Sequence, residues 1–274
     1  MEIRKSFSLL ILFVVSSALF AQNLKITGTA KPGYALIGQA QGIKQVFLDD
    51  KEIPFDGSDI FVFGFNRDET GTHILKVDYI NGTSETKEYT LPKREYKTQH
   101  INSKKKQFST PPQDELARIE REKQVMVEAR AKMELTDTTY FKTGFFRPVK
   151  GGRITGVYGS QRIVNGEPQN IHYGLDFAKP EGSPVYAMAD GIVQLARENF
   201  YYNGTFVLID HGQSLSSIYI HLSKLDIKEG DFVKKGQKIG EVGTTGRSTG
   251  AHLHWEVKWN KKHIDPACIL ELKF

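Results

Sequence analysis

The chain has 274 residues, 25% of them charged and 39% hydrophobic, with a formal net charge of +5. This is the profile of an ordinary soluble globular protein of one or two domains. The positive balance is too small and scattered to form a nucleic-acid-binding face, although it suits a protein working beside anionic polymers. The single cysteine, Cys268, excludes an internal disulfide and a cysteine-paired metal site, and reads as a small buried hydrophobe.

The N-terminus opens with Arg4 and Lys5, followed by an uncharged apolar run over residues 7–20 and small residues around Ser16, Ala18 and Ala21. That order defines a cleaved export signal over 1–21, since the run falls short of the ~20 apolar residues a spanning helix needs. We therefore expect a chain exported to the periplasm or cell envelope, with no stable membrane insertion after cleavage. From 22 to 95, short β-branched and aromatic runs such as Phe61-Val62-Phe63 and Ile74-Leu75-Lys76-Val77 alternate with turns. Asn81-Gly82 marks a hairpin, and together these runs predict a small antiparallel sandwich. His73 stands alone in it, so no chemistry is expected there.

Residues 96–140 are read as a linker and one helix. Periodicity is lost from about Lys93 to Pro112, where Lys104-Lys105-Lys106 reads as a solvated run. Thr110-Pro111-Pro112 with Asp114 and Glu115 then starts a helix that continues to about Met133. Leu116, Ile119, Met126 and Met133 fall on one face, expected to pack on a neighbouring domain. From 141 to 274 glycine is frequent and short β-type runs recur without a helical period, which predicts a mostly antiparallel β domain. The fold class is thus mainly β.

Five of the eight histidines lie between 172 and 254 in that last region: His172, His211, His221, His252 and His254. On a strand His252 and His254 share a face, roughly 6–7 Å apart. Two imidazoles placed so can serve one metal, or one can bind while the other acts on substrate. His172 and Asp176 would stand roughly 13 Å apart on a straight strand, too far for joint ligation at about 2 Å. A bend at Gly174 is therefore expected, with His172 just before a strand that carries Asp176. Two histidines and one carboxylate make a catalytic zinc set, with the fourth position open to water. His221 and His252 are the candidates to take a proton or stabilise an oxyanion.

Three motifs carry a resemblance. His172-Tyr173-Gly174-Leu175-Asp176, Tyr219-Ile220-His221 and Thr249-Gly250-Ala251-His252-Leu253-His254 occur in the order and spacing of the lysostaphin-type zinc endopeptidases, the LytM or beta-lytic family. The framework around Tyr158-Gly159-Ser160-Gln161-Arg162 and Asp210-His211-Gly212 is similar too, and the match covers about residues 145–270. The resemblance implies zinc (Zn2+) held by His172, Asp176 and His254, catalytic histidines at His221 and His252, and hydrolysis of peptide bonds in peptidoglycan. It implies a structural His211 and leaves Arg162 without an assigned role. The upstream region resembles exported relatives in which a small immunoglobulin-like module and a helix precede the peptidase. Two other readings compete. Some relatives have lost ligands and only activate cell-wall amidases, whereas all five residues are present here. The hairpins around Gly191 and Gly236 resemble biotinyl and lipoyl carriers, but no attachment turn with a presented lysine is evident.

Overall fold

The computed structural model describes residues 24–101, 111–133 and 138–274. The expected signal over 1–21, the lysine run at 104–106 and the Thr110 cap lie outside them. Among the described residues the protein is mainly β and its sheets are almost entirely antiparallel, as the sequence predicts. No described helix is long and apolar enough to cross a membrane.

Near the N-terminus two small sheets face each other. Lys25–Thr27, Ala35–Gln39 and Ile60–Gly64 form one; Lys51–Glu52, Ile43–Leu48, Gly71–Tyr79 and Ser84–Leu91 form the other. Alternation explains the second sheet: along Gly71–Tyr79, His73, Leu75, Val77 and Tyr79 point inward and their neighbours outward. The hairpin to Ser84–Leu91 turns where expected, with Gly82 at φ 85°, an angle glycine adopts without steric cost.

The C-terminal half is dominated by a ten-stranded sheet. Its path runs Phe232–Val233, Gly191–Phe200, Gly204–Asp210, Leu215–Leu225, His252–Trp259, Gly174–Ala178 and Arg153–Gly156. Along His252–Trp259 the side chains of Leu253, Trp255, Val257 and Trp259 enter the core, each at most 1% exposed. His252, His254, Glu256 and Lys258 therefore project from the opposite face. Period two thus sorts one strand into a core row and a row of chemically active groups.

Part of that opposite face is covered by the helix Leu116–Met133. Ala129 and Met133, with Val125 and Met126 beside them, pack on Leu195, Phe206, Leu208, Ile218 and Ile220. The expected apolar stripe is thus right at Met126 and Met133 but not at Leu116, which is exposed. The helix is preceded by a 3-10 turn at Gln113–Glu115 whose cap position, Pro112, offers no side-chain hydrogen bond.

The stretch read as linker also contains a strand, Thr98–Ile101, which pairs in parallel with Gln161–Val164 and makes a third strand beside the Gln161–Val164 and Glu167–Ile171 hairpin. Four mixed residues added to an existing edge carry no alternation that could announce them. The main apolar core runs continuously from Leu24 to Leu272, so the N-terminal sheets and the large sheet share one interior. Gln213 bridges them, accepting from Val62 N–H at 3.1 Å and donating to Ile60 O at 3.0 Å.

Candidate metal centre

Strand register brings the first two groups together. Gly174–Ala178 pairs with His252–Trp259 so that Asp176 stands directly opposite His254 and Gly174 opposite Glu256. Paired residues of an antiparallel ladder have Cβ atoms roughly 5 Å apart, close enough for short side chains to meet. His172 lies two residues before its strand, on a bend that folds its ring back over Asp176. The residues face each other in space despite the expected distance along a straight strand.

Three atoms converge. His172 Nε2 and His254 Nδ1 lie 2.9 and 2.7 Å from Asp176 Oδ1 and 2.9 Å from each other. All three residues are buried. Donors bound to one zinc at about 2 Å stand roughly 3.3 Å apart, so a spread of a few tenths of an ångström would seat an ion. The second nitrogen of each ring is already committed. His172 Nδ1–H donates to Val157 O at 3.0 Å, and His254 Nε2–H donates to Glu256 Oε1 at 2.9 Å. Each bond fixes the tautomer whose lone pair points inward. Arg162 Nη2 donates to Asp176 Oδ2 at 2.5 Å, leaving Oδ1 to the centre. The residues present therefore fit a divalent metal.

Two glycines make the space. A Cβ on Gly174 would lie 2.5 Å from the His254 ring, and one on Gly156 would lie 2.1 Å from Asp176 Oδ2. Neither position has room for a side chain.

Electrostatics agrees with the geometry. Burial opposes charge on Asp176, but the His254 and His172 imidazoles outweigh it and hold the carboxyl well below the usual range. His254 is likewise buried, yet Asp176 and Glu256 pull its pKa up to about 9. Two carboxylates against one imidazole attract positive charge, and a divalent cation meets the same demand as a second ring proton.

His221 and His252 stand beside this centre. Their rings are 4.8 Å apart by centroid, and His221 is 6.3 Å from His254. His221 Nδ1–H donates to Thr245 O and His252 Nδ1–H to Gly250 O, each at 2.8 Å, so both present Nε2 as a lone pair. Burial, then the neighbouring His252 and His254, lowers His221 to about 3; burial also lowers His252. Both are neutral bases at pH 7. His221 adopts φ 66°, a left-handed angle uncommon outside glycine and found at functional sites. Cavities of about 340 and 290 Å³ open on the two sides, and Arg162, His221, Arg247 and His254 border both.

His211 lies elsewhere in the core, fully buried between Asp190 O at 2.8 Å and Ser217 Oγ at 2.7 Å. Two contributors carried no assigned role in the sequence reading. Glu256 was reachable from period two along the strand from His254, whereas Arg162 arrives on a separate hairpin with no local signal. His73, read as standing alone, pairs with Asp49 at 2.7 Å, and Glu69 of the same cluster is taken by the Lys262 ammonium at 2.9 Å.

A mainly β domain with a buried histidine–aspartate–histidine centre is the class that fold and site define. The model of Peptidase family M23 matches residues 170–266, so that stretch of the chain is similar to an M23 peptidase domain. Peptidoglycan DD-endopeptidase ShyA of Vibrio cholerae is 50% identical over 86 residues, 31% of this chain and 20% of that protein. DD-carboxypeptidase/endopeptidase Mpg of Neisseria meningitidis is 37% identical over 129 residues, 47% of this chain and 30% of that one. The chain thus spans well under half the length of these curated relatives. A peptidase M23 from Pseudomonas aeruginosa aligns over 90% of this chain and 96% of its own, with a TM-score of 0.61 and 28% identity.

Proposed function

We propose that the protein is a zinc metalloendopeptidase of the cell envelope that hydrolyses peptide bonds in peptidoglycan stem peptides or cross-links. The observation that carries this reading is the convergence of three buried donor atoms, two of them on imidazole rings that a second hydrogen bond locks in the ligating tautomer and one on a carboxylate whose other oxygen Arg162 holds. The relatives named as peptidoglycan DD-endopeptidases support the substrate class. An export signal over 1–21, a sandwich module over 22–95, a linker and helix over 96–140 and the peptidase over 141–274 complete the proposal.

His172, Asp176 and His254 would hold the zinc. When bound, the metal supplies a Lewis acid that polarises the scissile carbonyl and acidifies water. The remaining work falls to this chain's own side chains. The peptide lies along the cleft bordered by Arg162 and Arg247. His221 and His252, neutral and with Nε2 exposed to the cleft, accept the proton of the attacking water and return it to the departing amine. Once protonated, an imidazolium also stabilises charge on the carbonyl oxygen. Arg162, donating to Asp176 Oδ2, orients the carboxylate so that Oδ1 faces the centre.

Mass spectrometry of fragments released from purified sacculi tests the proposal. Peptide-bond cleavage that stops with a chelator and returns with zinc is the expected result. Undiminished cleavage under chelation would end it, and amidase activation without any release would favour the regulator reading instead.

A further inference from the structure

The sequence assigns no role to the N-terminal sheets, yet they reach the metal centre through one turn. Residues 157–160 form it: Ser160 N–H points back to Val157 O at 3.5 Å, and Gly159 takes φ 79°, the left-handed angle a type II turn requires at its third position. One side of the turn holds His172. Val157 O accepts from His172 Nδ1–H at 3.0 Å, Gly159 N–H donates to His172 O at 2.7 Å, and His172 N–H donates to Ser160 O at 3.0 Å. Three bonds thus fix the backbone and the ring of one proposed ligand.

The other side of the turn is gripped from upstream. Arg67 donates to Gly159 O from Nε at 3.1 Å and from Nη2 at 2.7 Å. Tyr96 holds Arg67 in turn: its hydroxyl donates to Arg67 O at 2.7 Å, and the guanidinium lies 4.0 Å from the Tyr96 ring centroid. The Tyr96 ring also fills the space beside Gly159, where a Cβ would come within 2.1 Å of it. Tyr158 is fixed as well, by its hydroxyl on His263 O at 2.7 Å and by Gly33, whose Cβ would stand 2.7 Å from the ring. Apart from His263 and the Tyr173 ring, whose centroid lies 6.2 Å from that of Tyr158, the contacts described on this outer side come from residues 33–96.

We propose that Arg67 and Tyr96 are positioning residues of the metal centre. They hold the 157–160 turn in the one conformation that keeps His172 Nδ1 protonated against Val157 O and turns Nε2 inward. The N-terminal sheets are thereby a structural component of the site and not only a targeting or binding appendage. This inference rests on the metal-binding role proposed for His172. Partners that fix the orientation of a ligating histidine typically matter by about 10- to 100-fold in metal affinity.

The test uses the full chain and zinc alone as probe, in competition with a chromogenic chelator, with folding checked by circular dichroism and thermal unfolding. Arg67→Ala should weaken zinc binding by about tenfold or more. Long-range proton–nitrogen NMR should then show His172 sampling both tautomers. Arg67→Lys keeps the charge but loses the two-pronged grip, and should recover part of the affinity. Tyr96→Phe, which keeps the ring and removes one hydroxyl, should cost less than Arg67→Ala. Lys262→Ala is the control, because Lys262 ties the same two parts together through Gly64 O at 3.2 Å and Glu69 at 2.9 Å. It should leave zinc affinity unchanged.

A folded Arg67→Ala protein with wild-type zinc affinity and a single His172 tautomer would overturn the proposal, as would an equal loss in Lys262→Ala. Zinc binding by the wild type without release of peptides from sacculi would defeat the proposed activity and leave this inference standing. Hydrolysis by the wild type, with Arg67→Ala binding zinc normally, would defeat the inference alone.

Discussion

Two clusters in this protein join histidine to carboxylates, and they behave differently. In the N-terminal part Asp49, Glu69 and His73 lie together; in the large sheet His172, Asp176 and His254 do. The first offers one imidazole nitrogen, already on Asp49, while Glu69 neutralises the Lys262 ammonium. The second aims two imidazole nitrogens and one carboxylate oxygen at a common point. Its outer atoms are occupied by Val157 O, Glu256 and Arg162. Proximity of the right residue types is common to both. What separates them is whether the second atom of each group is held so that the first must face inward.

The largest effect should come from removing a converging donor. His254→Ala or Asp176→Ala should abolish stoichiometric zinc retention, read by elemental analysis after dialysis, and with it release of peptides from sacculi. His73→Ala should leave zinc content unchanged. If His73→Ala lost zinc as His254→Ala does, the distinction between the clusters would fail.

Next in size is the outer contact. Glu256→Gln keeps the shape but can present an amide to His254 Nε2, and should weaken zinc binding by about 10- to 100-fold without unfolding the protein. Equal affinity in the variant would mean that the bond from His254 to Glu256 does not set the tautomer.

How much of this could be read from the chain follows from the same contrast. Glycine-rich β runs announced the antiparallel sheets, and Asn81-Gly82 announced its hairpin, because both signals are local. The row His252, His254, Glu256 and Lys258 follows from period two alone. The contact between His172 and Asp176 needed a bend, which the sequence reading put at Gly174; Gly174 instead opens the strand Gly174–Ala178, and the chain turns at His172 and Tyr173 just before it. Arg162 was not legible as a partner of Asp176, because its approach depends on a hairpin folding back across Gly156. The strand Thr98–Ile101 was missed for a related reason: its pairing with Gln161–Val164 is set by tertiary placement, not by its own pattern.

A third prediction concerns a histidine outside both clusters. Burial lowers His211 to about 4 from an ordinary value near 6.5, so the unfolded chain binds more protons than the folded one between those pH values. Stability should therefore be fully present above pH 6.5 and decline as pH falls toward 4, with no further loss from this group below that. At about 1.4 kcal/mol per pH unit, His211 accounts for roughly 2 kcal/mol by pH 5. Chemical denaturation of His211→Gln at pH 7 and pH 5 should show a shallower fall than the wild type. An identical slope would mean that His211 is not held neutral by burial.

The smallest effect tests what keeps the N-terminal cluster from acting as a metal site. Lys262→Ala removes the ammonium from Glu69 and should cost about 1 kcal/mol, in the range of a partly exposed ion pair with one added hydrogen bond. It leaves Asp49, Glu69 and His73 as an uncompensated pair of carboxylates beside an imidazole. If inward aim is what a metal requires, calorimetric titration should still find one zinc per chain, because His73 Nδ1 faces Asp49 and its Nε2 has no partner in the buried interior. A second equivalent of zinc in this variant would show that the ammonium alone had excluded it. The difference between the two clusters would then be one of charge, not of geometry.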